Sequence, residues 1–90
     1  MDRVIITVVG KDTVGIIAGI CTYLAKSGIN ILDISQTIVS GFFNMMMIVD
    51  MSGGSVTFDE LADELEKIGK DIGVDVRCQK EAIFDCMHRI

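Results

Sequence analysis

Apolar and polar positions follow the periods of strands and helices in turn along the chain. Positions 4–9 are apolar on both faces of an extended chain, which predicts a central strand. A tight loop is predicted at 10–13, and a helix follows from about Val14 to Ser27. The predicted buried face of this helix comprises Ile16, Ile17, Ile20, Cys21 and Leu24.

The ends of this first helix carry typical cap residues. Asp12 or Thr13 is expected to cap its start. Gly28 stands where a left-handed residue commonly ends a helix, and Ile29 is expected to fold back on Leu24 in a Schellman motif. The helix is therefore predicted to stop shortly before the next strand.

Two strands joined by a hairpin turn come next. The first is predicted at 31–39, the turn at 40–41 and the return strand at 42–51. The apolar face of the first comprises Leu32, Ile34 and Ile38. The return strand has an unbroken apolar face of Phe43, Met45, Met47, Val49 and Met51. A second layer is therefore expected to cover that face.

A second helix is predicted from a capping box at its start. Thr57 is the expected N-cap, Glu60 its reciprocal partner, and Val56 is placed to pack against Leu61. The apolar stripe comprises Phe58, Leu61, Leu65, Ile68 and Ile72. Ion pairs four residues apart are expected between Asp63 and Lys67 and between Glu66 and Lys70.

Gly73 is expected to end the second helix, and alternation over 74–79 predicts a half-exposed fourth strand. A short terminal helix is predicted from the apolar residues of 82–90. The order βαββαβ defines an α+β, ferredoxin-like fold: a four-stranded antiparallel sheet with two helices on one face and the short C-terminal helix added. Strands 1 and 3 are expected to be central.

Composition places the chain among small acidic domains. Its 90 residues, half of them apolar, predict one domain over 1–90, with a core at 3–80 and a tail at 81–90. A net charge of −5 argues against nucleic-acid and anionic membrane partners. No apolar run approaches the roughly 20 residues of a membrane span.

Residues that carry chemistry are few. Cys21, Cys78 and Cys86 indicate neither a disulfide framework nor a zinc site, so a reducing, cytoplasmic setting is expected. His88 stands alone, and the methionines at 45–47 are expected in the core. We therefore expect no catalytic residues, no metal and no cofactor.

The junction between the first strand and the first helix is the candidate binding site. Unpaired N–H groups of a first helical turn attract a carboxylate or phosphate. The candidate ligand-binding residues are Gly10, Lys11, Asp12, Thr13, Val14, Gly15 and Asn30. Asn30 offers both a donor and an acceptor for a small zwitterion. An equally weighted interpretation gives the glycines only turn geometry and close packing.

The element order, the loop 10–17 and the segment 28–31 resemble the ACT domain, a small-molecule regulatory module of amino-acid metabolism. The resemblance covers about 3–80 and is closest to free-standing, single-domain ACT proteins. It implies amino-acid binding at a homodimer interface through Asp12, Gly15 and Asn30. This chain departs from the family pattern in having Val14 where proline is frequent, and Asp12 where amino-acid-binding members tend to have asparagine.

Two functions of different classes follow. The first is a regulatory module that senses an amino acid or related metabolite as a homodimer, with a partner enzyme as a further possibility. The second is an acylphosphatase-type enzyme on the same fold, against which the absence of arginine in 10–15 argues. A purely structural protein-interaction domain is the remaining alternative.

An apolar patch on the sheet face away from the helices is the expected dimer surface. Its members are Ile5, Val9, Phe42, Met46 and Ile48. The apolar tail residues Ile83, Met87 and Ile90 are expected to extend it.

Overall fold

A computed structural model describes residues 2–11 and 15–81. The elements are β1 (Arg3–Lys11), α1 (Ile16–Lys26), β2 (Asn30–Val39), β3 (Phe42–Asp50), α2 (Phe58–Ile72) and β4 (Val74–Lys80). They form one antiparallel sheet in the order β2-β3-β1-β4. The predicted βαββαβ architecture and the central positions of strands 1 and 3 are confirmed. The predicted terminal helix lies outside the described residues.

The core lies between the sheet and the two helices. Alternate residues of β1 and β3 are buried with one stripe from each helix, as the periodicities predict. The core residues exposed by 3% or less are Val4, Ile6, Val8, Ile16, Ile20, Leu24, Phe43, Met45, Met47, Val49, Leu61 and Leu65. Ile68, also predicted there, is partly buried against them. Ile17 was predicted in the buried face but is 36% exposed.

The cap chemistry explains where the helices end. At α1, the Ile29 amide donates to the Leu24 carbonyl and the Gly28 amide to the Ala25 carbonyl, which confirms the Schellman motif. At α2, the Thr57 hydroxyl accepts from the Glu60 amide while the Glu60 carboxylate accepts from the Thr57 amide, which confirms the capping box.

The start of α1 differs from the prediction. Its N-cap is Gly15, with a φ of 95° and no side-chain hydrogen bond to the first turn. Asp12 and Thr13, the predicted caps, lie outside the described residues. The helix begins at Ile16, two residues later than predicted. Its first turn therefore has no cap from the N-cap side chain.

Helix α2 approaches β4 closely at Gly69. A Cβ at this position would lie 2.7 Å from Val76 Cγ2 and 2.8 Å from the Val74 carbonyl oxygen. Glycine is therefore required by the spacing between helix and sheet.

On the solvent side of α2, the predicted ion pair of Glu66 with Lys70 is confirmed at 3.6 Å.

Lys67 has a different partner from the predicted one. It lies 3.6 Å from Glu64, three residues earlier, instead of pairing with Asp63. Neighbours three and four residues away are both within reach on a helix surface, so the sequence pattern did not decide between them.

Strand β2 is an exposed edge along its whole length. All ten of its residues are exposed, including Ile34 at 41% and Ile38 at 58%. These two side chains share the helix-side face, because Ile34 pairs with Met47 and Ile38 with Phe43. A bulge at Leu32 interrupts the predicted alternation. The apolar side chains of β2 therefore lie beyond the area that the helices cover.

The sheet face opposite the helices is partly apolar, as predicted. Val9, Phe42 and Met46 are 48%, 51% and 39% exposed. Ile5, predicted in the same exposed patch, is only 5% exposed. It lies in a central strand between Ile48 and Gln79 of the neighbouring strands, which accounts for part of its burial. The exposed patch is therefore smaller than predicted.

Candidate functional site

The candidate loop begins where β1 ends. Gly10 pairs with Phe43 on one side and Val74 on the other, and a Cβ there would lie 2.8 Å from Val74 Cγ1. Close packing therefore requires glycine at this position, as the structural interpretation of the glycines predicts. Lys11 is exposed at the end of β1, opposite Phe42.

Gly15 has a different reason to be glycine. Nothing lies within 4 Å of where its Cβ would be, so space does not require it. Its φ of 95° is a left-handed conformation that other residues adopt only with strain. The first turn of α1 contains no acidic residue, so the positive end of the helix dipole has no local counter-charge from that turn. Asp12, Thr13 and Val14 of the candidate loop lie outside the described residues.

Asn30 lies at the opposite end of the sheet from this loop. It opens β2 beside Asp50, and Asp50 pairs with Arg3 at the start of β1. Lys11 is eight residues further along β1, which at the rise of a strand is roughly 26 Å away. A single chain therefore does not bring Asn30 together with Gly10, Lys11 and Gly15.

The chemistry at the Asn30 end is polar. Asn30 is exposed, and its side chain has no hydrogen-bond partner among residues 2–11 and 15–81. Beside it, Asp50 Oδ1 accepts hydrogen bonds from the Ser52 amide at 3.0 Å, the Ser52 hydroxyl at 2.8 Å and the Asp2 amide at 3.2 Å. The bonds from Ser52 chiefly hold the pKa of Asp50 below its ordinary value. A free amide and an ionised carboxylate therefore stand next to each other at this end.

A concave region that the sequence did not predict lies on the sheet face opposite the helices. It has a volume of about 220 Å³ and runs across β1, β3 and β2. Its lining comprises Thr7, Val8, Val9, Ser35, Gln36, Thr37, Asn44, Met45 and Met46. We call this region the sheet groove. Finding it requires the register between three strands, which single-strand periodicity does not supply.

The described thiols, Cys21 and Cys78, are free and partly buried. Burial raises the pKa of the Cys78 thiol to about 11. Because the thiolate is the nucleophile, we expect iodoacetamide to modify Cys78 slowly at pH 8 in the folded protein and rapidly in urea.

The raised pKa also links Cys78 to stability. The folded state disfavours the thiolate, so this contribution to stability is complete below the ordinary thiol pKa and falls as the pH rises toward 11.

Peptide mapping by mass spectrometry after timed alkylation measures the iodoacetamide reaction at Cys78 separately from the other cysteines. Equal rates at Cys78 in folded and unfolded protein would contradict it.

Neither a metal-binding cluster nor a membrane-spanning helix is found among the described residues. No three His, Cys, Asp or Glu side chains in ranges 2–11 and 15–81 are grouped to hold a metal ion. None of the helices in those ranges combines the length and apolar character needed to cross a membrane.

The architecture defines a small ferredoxin-like α+β domain. Comparison with known proteins gives the family: the ACT domain profile matches residues 2–79, and the chain belongs to that family. A UPF0237 protein of Bifidobacterium longum is 59% identical over 90 residues, with both chains covered completely.

Solved structures agree with this assignment. An ACT domain protein from Streptococcus pneumoniae superposes with a TM-score of 0.81 at 43% identity, over 93% of this chain and 94% of that one. The regulatory subunit of aspartate kinase from Thermus thermophilus has a TM-score of 0.65 at 26% identity, over 87% of this chain and 50% of that one. ACT domains are commonly regulatory, small-molecule-binding domains.

Proposed function

We propose that this chain is a non-catalytic regulatory module that binds an amino acid or a related metabolite at the interface of a homodimer. Membership of the ACT family supports the class of function. The similarity to the regulatory subunit of an aspartate kinase supports an amino acid as the first ligand to test. The candidate loop, 10–15, contains no arginine with which to bind a transferring phosphoryl group, which argues against acylphosphatase chemistry.

One observation carries the proposal of a shared site: the two groups of candidate residues lie at opposite ends of one sheet. The α1 end offers helical N–H groups suited to a ligand carboxylate. The Asn30 end offers an amide and the carboxylate of Asp50, which suit a ligand ammonium group. A zwitterion matches the two together, and a second copy of the chain is needed to bring them close.

The sequence predicts the dimer surface on the sheet face away from the helices, but the exposed apolar patch there is smaller than predicted. We therefore propose strand β2 as the surface for the second copy. It contains no proline and no lysine, and Asp33 is its one charged residue, so the usual protections of an edge strand are missing. Antiparallel pairing with a second β2 about Gln36 would place Ile34 opposite Ile38 of the second copy, and Ile38 opposite Ile34. Four exposed isoleucine side chains would then be buried together.

This pairing also joins the two halves of the site. With the symmetry axis at Gln36, Asn30 becomes level with the hairpin turn of the second copy. That turn leads into Phe42, which pairs with Lys11 at the end of β1 where the candidate loop begins. Asn30 of one chain and the loop of the other would therefore lie at the same end of a joined sheet.

A thermal-shift screen of the full chain against the amino acids identifies the ligand. We expect Asn30→Ala to abolish the ligand-dependent shift while the apo melting temperature stays within about 2–4 °C of wild type, because the side chain is exposed. Gln79→Ala, an amide truncated on the far edge strand, is the matched control and should keep the shift. A lower apo melting temperature in Asn30→Ala would instead make Asn30 a structural residue.

Mixing variants tests whether the site is shared. Asn30→Ala homodimers should lose binding, and so should Gly15→Asp homodimers, because a carboxylate added at the first turn of α1 would repel the ligand carboxylate. After unfolding and refolding together, mixed dimers regain one intact site of two, so about a quarter of the native capacity returns. Calorimetric titration measures this capacity. No recovery on mixing would overturn the shared site.

A further inference from the structure

The sheet groove is separate from the candidate loop and from Asn30. Strand register places Ser35, Met46 and Thr7 in one row across the sheet, and Thr37, Asn44 and Val9 in the next. These six residues share the face away from the helices, because paired residues on neighbouring strands project to the same side. They form the floor and walls of the concave region.

The polar side chains in these two rows are available to a ligand. Thr7, Ser35, Thr37 and Asn44 make no side-chain hydrogen bond or ion pair to any residue in the described ranges. Three hydroxyls and one amide thus offer several donors and acceptors within one concave area. Val9 and Met46, exposed by 48% and 39%, add apolar surface between them.

No charged side chain lines the groove. The nearest charged residues in the same two rows are Arg77 and Asp75 of β4, and these pair with each other at 3.2 Å. An ionised group of a ligand would therefore lose its hydration without a free counter-charge to replace it. The volume of the groove, about 220 Å³, is also below the range usual for sites that bind drug-sized ligands, roughly 300–1,000 Å³.

We propose that the sheet groove is a second binding site, which takes an uncharged planar heterocycle of one or two rings. The ring would lie on the sheet face against Val9 and Met46, and its edge atoms would exchange hydrogen bonds with Asn44 and the neighbouring hydroxyls. This ligand class differs from the zwitterion proposed for the loop and Asn30. The groove is complete within one chain, and the proposed pairing through the β2 edge leaves this sheet face open, so binding does not depend on that assembly.

Titration of ¹⁵N-labelled full chain with adenine, which is neutral at pH 7, tests the proposal. We expect amide shifts at millimolar adenine that cluster on residues 7–9, 35–37 and 44–46. Asn44→Ala should weaken this binding about five- to tenfold, the loss expected for hydrogen bonds between neutral groups. Gln79→Ala, an amide on the same sheet face outside the groove, should bind adenine like wild type.

The outcomes separate this site from the proposed regulatory site. Adenine binding that survives Asn30→Ala but not Asn44→Ala supports the groove, whatever the amino-acid screen finds. No clustered shifts with adenine, uracil or indole at 5 mM would overturn it. Shifts that centre on Gly15 and Asn30 would likewise contradict a separate site, as would equal binding by Asn44→Ala and wild type.

Discussion

An Ile20→Asp chain is expected to be unfolded at 25 °C. Ile20 is 0% exposed in the middle of the face that α1 packs on the sheet. Its replacement removes about 1.5–3 kcal/mol of apolar burial and adds a carboxyl group that finds no partner among aliphatic side chains. For 90 residues the total stability is of order 5–13 kcal/mol, so the combined loss is comparable to the whole. Circular dichroism and thermal melting measure the result.

Ile17→Asp is the matched control for this experiment. It makes the same chemical change three residues earlier on the same helix, at a position that is 36% exposed. Its cost is expected to be within about 1 kcal/mol, with a cooperative melt. A cooperative melt of Ile20→Asp at a temperature close to that of Ile17→Asp would contradict the packing of α1 on the sheet through Ile20.

The second large effect is expected at the edge strand. Ile34→Lys should convert the proposed dimer to a monomer at micromolar concentration, with a dissociation constant raised at least about 100-fold. The proposed pairing buries this side chain against Ile38 of the second copy, so each interface would gain two buried ammonium groups. In the single chain Ile34 is 41% exposed, so the fold itself should tolerate lysine. Sedimentation velocity measures the change.

Ile17→Lys controls for an added charge at an exposed isoleucine outside the edge strand. It should leave the proposed dimer intact. Binding of the proposed amino-acid ligand should weaken in Ile34→Lys together with assembly, since a site shared by two chains links binding to association. A wild-type monomer, or an Ile34→Lys dimer of unchanged affinity, would contradict pairing through β2.

Local sequence signals predicted most of the fold because they act over a few residues. Thr57 and Glu60 predicted the start of α2, and Gly28 with Ile29 predicted the end of α1, since each cap is completed within one turn. The central positions of β1 and β3 followed from their apolar faces.

Features that depend on neighbours distant in sequence were harder to predict. Apolar character did not reveal that Ile5 is buried and Ile17 exposed, because coverage by other elements decides this. The N-cap of α1 was placed on residues with better cap chemistry than Gly15. The candidate loop and Asn30 were identified as separate motifs, whereas their separation along β1 needed the strand register.

The apolar character of the β2 edge also determines how assembly should respond to ionic strength. Each chain carries a net charge of −5, so two copies repel one another as they approach. The edge itself offers one charge per chain, Asp33, and no cation to pair with it. Dissolved salt screens this repulsion, with a Debye length of about 8 Å at physiological ionic strength. The paired β2 strands contain no ion pair that the same salt would weaken. Association through this edge should therefore tighten as salt is added, the opposite of an interface held by salt bridges.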